Sequence, residues 1–269
     1  MTFVDDTGRT VSLPRPPQRI ISLAPSVSEN LFAIGAGGLV VGVTTADDYP
    51  PAVARLPRIG NFYQPLVEKI RALRPDLVVV ESGTVHRADM DNLANRLQAP
   101  VYAQNSRRFS DVARQLLRLG EMTGHAAQAR PVAAAFSAKA ARVAHRIQGQ
   151  RPVSVFVQID PTALYAAGPG SFIDDLIRLA GGINVVRGSN PFPLVSKEAV
   201  IAGDPAVYIF TVPAGPNVAL PSPPPVDPAL REIAAVRNRR VYGINADLLS
   251  RPAPRLADGL TLLAKLLHP

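Results

Sequence analysis

Two stretches far apart in the chain follow one pattern, and that pattern limits the folds open to it. Val67 to Val80 reads VEKIRALRPDLVVV, and Lys197 to Phe210 reads KEAVIAGDPAVYIF. In each, a Glu (Glu68, Glu198) precedes a Pro (Pro75, Pro205) by seven positions, and an apolar run with β-branched residues follows. Pro cannot continue a helix, so each stretch predicts a short helix that stops at the Pro and hands over to a buried strand. A short helix leading into a strand is also a generic unit of α/β proteins. A Glu at the same place is not, because no core requires one there.

The rest of the chain alternates in the same way. RIISLAP (Arg19–Pro25) predicts a strand ending in a turn, with Ser26 or Ser28 as cap of a helix that Gly35 to Gly38 stop. LVVGVT is a second strand, DMDNLANRL a helix, PVYAQ a strand and DVARQLLRLGEMTG a helix. The Ala-rich segment 126–150 has high helix propensity, and Pro131 is placed in its first turn. Beyond it, PVSVFVQ and ALYAAG predict strands, Ser171 to Gly181 a helix, RRVYGI a strand and Pro254 to Leu267 a last helix. The run from Pro213 to Pro228 holds seven prolines and reads as an extended surface loop. Continuous apolar strands alternating with helices indicate parallel sheets covered by helices. The expected fold class is therefore α/β with two lobes, each a parallel sheet flanked by helices, bridged by one long α-helix. The expected limits are 1–125, 126–150 for the bridge, and 151–269.

Composition narrows function more than fold. With no Cys among 269 residues, disulfides, thiolate metal sites and cysteine nucleophiles are excluded. The formal charge of +8 comes from scattered Arg and Lys with no run longer than two, so a nucleic-acid partner is not expected. The N-terminal residues MTFVDDTGRT carry neither a basic nor an apolar segment of the kind that directs export.

No catalytic constellation emerges. His86, His125, His145 and His268 are dispersed without HExxH spacing, and GxSxG, Walker A and GxGxxG are absent. AAGPGS, ahead of a helix, can present backbone N–H groups to an anion. Aromatic residues instead gather near expected strand ends and loops: Tyr49, Phe62, Tyr63, Tyr165, Phe172 and Phe192. Phe172, at a helix start, suits ordinary packing. The others supply flat apolar contact of the kind a ligand pocket uses.

Taken with DDTGRTVSLPRPPQRIISLAPSVSENLFAIGAG, VGVTTADDYPP, GSFIDDLIRLAGGINVV and SRPAPRLADGL, the two repeated stretches resemble the helical-backbone substrate-binding proteins of ABC importers, most closely the cobalamin-binding members. The resemblance spans the chain. It implies a non-catalytic receptor, periplasmic or on the outer face of the cytoplasmic membrane, without cofactor or metal, that works as a monomer. Its implied ligand is cobalamin or a related corrinoid, held between two lobes. Pro25, Tyr49, Phe62, Tyr63, Tyr165, Phe192, Asp247 and Arg251 are the implied ligand-binding residues, and Glu68 and Glu198 the implied docking residues for a membrane permease. A haem or ferric-siderophore ligand is the alternative, with Tyr63 or His86 over a haem iron and Arg107 and Arg108 facing an anionic siderophore. Ile159 and Glu81 stand where such proteins carry aromatics, and Trp is absent.

Overall fold

The computed structural model describes residues 1–61, 63–81, 86–160, 162–213 and 220–269. The chain forms two compact units. One holds Met1–Ser106, Ser110–Phe136 and Pro252–Pro254; the other holds Arg107–Phe109, Ser137–Arg251 and Arg255–Pro269.

In the first unit, β1 (Thr2–Val4) and β2 (Thr10–Ser12) form an antiparallel pair that the sequence pattern did not announce. β3 (Ile20–Ser22), α1 (Pro25–Ala33), β4 (Val40–Gly42), α2 (Val67–Ala72), β5 (Leu77–Glu81), α3 (Arg87–Leu97) and β6 (Val101–Gln104) follow. α4 (Phe109–Thr123) and α5 (Ala126–Arg146) complete the first half, and the division between units falls inside α5. In the second unit come β7 (Val153–Gln158), α6 (Phe172–Leu179), β8 (Gly182–Asn184), α7 (Lys197–Gly203) and β9 (Val207–Val212). α8 (Ala234–Arg237), β10 (Val241–Asn245), α9 (Asp247–Ser250) and α10 (Leu256–Leu267) end the chain.

Each unit has a four-stranded parallel sheet, ordered β4-β3-β5-β6 in the first and β8-β7-β9-β10 in the second. Numbered from its own first strand, each is 2-1-3-4. The repeated stretches are thus the same element twice: α2 and α7 each carry the chain from second strand to third. Each helix buries the residue two positions after its Glu, Ile70 in one and Val200 in the other. Val67 and Leu73 pack beside Ile70 against a core of Ile21, Val78, Val80 and Leu93. Arg74 and Asp204, one residue before each Pro, both take the left-handed conformation (φ 45° and 33°). A residue preceding Pro is driven out of the helical region, and here that steric push ends the turn. In the second unit Tyr208 stacks on Phe210 at 4.5 Å, meets Phe156 edge-on at 5.0 Å, and donates its hydroxyl to Gln158.

Several local expectations are corrected. Neither Ser26 nor Ser28 caps α1: the cap is Ala24, Pro25 holds the first position, and both serines are buried inside the helix. Ser28 donates instead to the Ser22 hydroxyl at 2.9 Å. Pro131 lies inside α5 rather than in its first turn. ALYAAG is not a regular strand but a loop joined by single bridges, Gln158 to Ala166 and Tyr165 to Leu194. Ser171 and Ser196 do cap α6 and α7, accepting from Asp174 N and Ala199 N, each at 3.1 Å. Among the described residues no helix is long and apolar enough to cross a membrane.

Candidate ligand-binding and docking residues

In a parallel sheet the loops leaving the carboxyl ends of the strands hold the functional groups, above all where successive connections diverge from one strand. The order 2-1-3-4 puts that divergence at β3 and β5 in one unit and at β7 and β9 in the other.

In the first unit the loop after β3 delivers Pro25, partly buried, as the opening residue of α1. The loop after β4 is tied down by Asp47, whose carboxylate accepts from the Thr44 amide at 2.9 Å and from the Thr44 hydroxyl. Arg58 donates to the Thr44 and Asp47 carbonyls at 2.9 and 2.8 Å. Burial pushes the Asp47 pKa up, opposed by the nearby Ser28 side chain, by the hydrogen bonds from Thr44 and by the Arg58 charge. This frame presents Tyr49, half-buried, ahead of a cis bond to Pro50. Further on, a tight turn at Gly60 (φ 86°) precedes Tyr63, which is 83% exposed. Phe62 lies outside the described residues. The loop after β5 starts at Glu81, and His86 is exposed just ahead of α3.

In the second unit the chain leaving β7 turns back on itself. Ile159 donates to the Tyr165 carbonyl at 2.8 Å, and the Asp160 carboxylate accepts from Thr162 N, Thr162 Oγ1 and Ala163 N at 2.7 to 2.9 Å. Those donors hold Asp160 below the usual carboxylate range. Tyr165 (43% exposed) and Phe192 (49%) come from adjoining loops. The amides of AAGPGS are already engaged: Ala167 donates to Val157 O, Gly168 to Pro191 O, Gly170 to Asp174 Oδ2 and Ser171 to Gly168 O. They are not an anion cradle. After β10, Asp247 pairs with Arg251 at 2.8 Å and lies 3.7 Å from Arg255. The three side chains are only 13 to 16% exposed. Arg255 was missed by sequence reasoning; Pro252 and Pro254 separate it from the short helix of Asp247, so no single element's period links the two.

Glu68 projects from α2 with its side chain 88% exposed and only a 3.7 Å approach from Arg71. Glu198 is exposed in the first turn of α7, its pKa lowered by its own backbone N–H and the Ser196 hydroxyl. Both therefore stand outward on matching short helices. Among the described residues no group of three His, Asp or Glu gathers as a metal set.

The chain belongs to the family described as periplasmic binding protein, whose model matches residues 20–248, and it is an ABC-type periplasmic substrate-binding protein. It is 28% identical over 260 residues to the vitamin B12-binding protein of Vibrio cholerae, covering 96% of this chain and 92% of that one. Among solved structures, the periplasmic vitamin B12 binding protein BtuF of Vibrio cholerae superposes with a TM-score of 0.80 at 26% identity, covering 94% of this chain and 98% of that one. The periplasmic heme-binding protein RhuT of Roseiflexus sp. RS-1 superposes with a TM-score of 0.77 at 25% identity, covering 93% and 98%.

Proposed function

We propose that this protein captures a corrinoid of the cobalamin class outside the cytoplasm and delivers it, as a monomer, to an ABC permease. One observation carries the reading: Tyr63, Tyr165 and Phe192 are large rings left 43 to 83% exposed on loops that follow parallel strands. Exposed rings at such places offer a flat, weakly hydrated surface for a macrocycle face. Tyr49, Pro25 and Phe62 are further proposed ligand-binding residues, and Asp247 and Arg251 are proposed polar contacts to an amide-bearing rim. The names of the vitamin B12-binding relatives support the same ligand. Glu68 and Glu198 are the proposed docking groups for cationic side chains of the permease, and exposed charges of this kind govern orientation and encounter rate. Segment 126–150 is the proposed link between the lobes.

Haem is the second reading, favoured by the exposed Tyr63 phenol and by the likeness to RhuT. One experiment separates the two. Purified protein at micromolar concentration is titrated calorimetrically with cyanocobalamin, cobinamide and haemin. Saturable heat with the corrinoids and none with haemin is the expected result. A haemin complex with a new Soret band and no corrinoid binding rejects the corrinoid.

A further inference from the structure

The loops that carry Tyr165 and Phe192 approach more closely than side chains normally allow, and one glycine makes it so. Gly168 is buried, and its amide donates to the Pro191 carbonyl at 2.9 Å. A Cβ at this position would lie 2.3 Å from the Asn190 carbonyl oxygen and 2.7 Å from Cδ of Pro193. These are main-chain and ring atoms, and neither can swing aside as the end of a flexible side chain does. The glycine is needed for space, since its φ lies outside the left-handed region.

The close approach fixes what lies beside it. Ala166 donates to the Pro193 carbonyl and Val195 to the Leu164 carbonyl, at 2.9 and 3.0 Å, and Tyr165 and Leu194 are antiparallel partners. Directly opposed residues direct their side chains to one face of a ladder. Phe192 stands at a bend two positions before Leu194 and is 49% exposed on the same loop. Leu164 and Val195 pack into the core beneath, while Leu194 is 63% exposed. Segments 163–168 and 191–195 contain no charged residue, and Pro191 and Pro193 stiffen one of them. The result is an uncharged apolar platform with one hydroxyl, that of Tyr165. It suits the face of a neutral ring system and offers no counter-charge to an anionic chelate.

We propose that Leu194 is a further ligand-contact residue and that Gly168 is the positioning residue that sets the Tyr165–Leu194 platform. The proposal rests on the corrinoid reading above, and its test keeps the two apart. Wild type, Leu194→Ala, Gly168→Ala, the double variant and Ile183→Ala are titrated with cyanocobalamin and, in parallel, with haemin. Ile183 is a control, being apolar and 48% exposed on β8. Leu194→Ala is expected to weaken cyanocobalamin binding about tenfold through lost apolar contact. Gly168→Ala is expected to weaken it by at least as much. The double variant should fall short of the summed single effects, because both act on one platform. Ile183→Ala should bind as wild type. A purely structural effect of Gly168→Ala would lower the melting temperature but add independently to Leu194→Ala. Leu194 is exposed, so its truncation stays informative even if Gly168→Ala folds poorly. Wild-type affinity in Leu194→Ala, or strict additivity in the double variant, overturns the proposal. If wild type binds haemin and not cyanocobalamin, the corrinoid reading falls and the same variants decide the platform on haemin: weaker binding in Leu194→Ala supports it, unchanged binding overturns it. Wild type that binds neither overturns both.

Discussion

Glu81 ends β5 with its carboxylate accepting from the Ser106 amide at 2.8 Å and from the Ser106 hydroxyl at 3.1 Å. Those bonds favour the charged form, but burial outweighs them and the pKa rises to about 7 from 4.5. A carboxyl that holds its proton more tightly folded than unfolded favours folding most below the unfolded pKa. That contribution is lost as pH rises from 4.5 through about 7, and it amounts to up to about 3 kcal/mol. Glu81→Gln removes the titration while keeping an acceptor for Ser106. The variant should therefore gain on wild type in melting temperature between pH 5 and pH 8, where wild type declines. A wild-type curve flat over that range, or parallel to that of Glu81→Gln, rejects the assignment. Asp47 is also raised, but it is common to wild type and variant, so the difference between the two curves reports Glu81. The sequence placed Glu81 at a strand end but carried no sign of its burial, which depends on Ser106, 25 positions away.

Short helices are held by their ends and by close backbone contacts, and both are visible at element scale. A Cβ on Gly259 of α10 would lie 1.8 Å from the Leu248 carbonyl oxygen of α9, so the two helices meet through a missing side chain. Gly259→Ala forces them apart and should cost about 1–3 kcal/mol, the usual range for overpacking. Urea denaturation would show it as a lowered midpoint with unchanged slope. An unchanged midpoint would mean that the contact relaxes freely. Elements with long periodic patterns, such as α4 and α5, were legible in the sequence because their apolar spacing repeats over several turns. The pair β1–β2 and the elements β8 and α9 were not: each has only three or four residues and lacks the continuous apolar run that marked the equally short β3 and β4. ALYAAG has strand composition, yet its backbone pairs only singly with neighbours, which composition does not encode.

At the scale of the whole molecule, two sheets of identical strand order place Glu68 and Glu198 on topologically equivalent helices. If these are the docking groups, reversing both charges (Glu68→Lys with Glu198→Lys) should lower corrinoid uptake at least tenfold in vesicles bearing the permease. Cyanocobalamin binding in solution should stay at the wild-type value, and raised salt should weaken wild-type docking but not ligand capture. Uptake that survives the double reversal would remove both residues from docking.

The sequence by itself determined the α/β class, the two-fold recurrence and the outward Glu of each recurring helix, because helix period, Pro placement and apolar strands are local properties of the chain. Tertiary structure alone decided the mutual pairing of Asp247 and Arg251 within reach of Arg255, the raised pKa of Glu81 and the Gly168 contact that aligns Tyr165 with Leu194. Each of these depends on atoms brought together by packing, and neither residue type nor spacing along the chain records such distances.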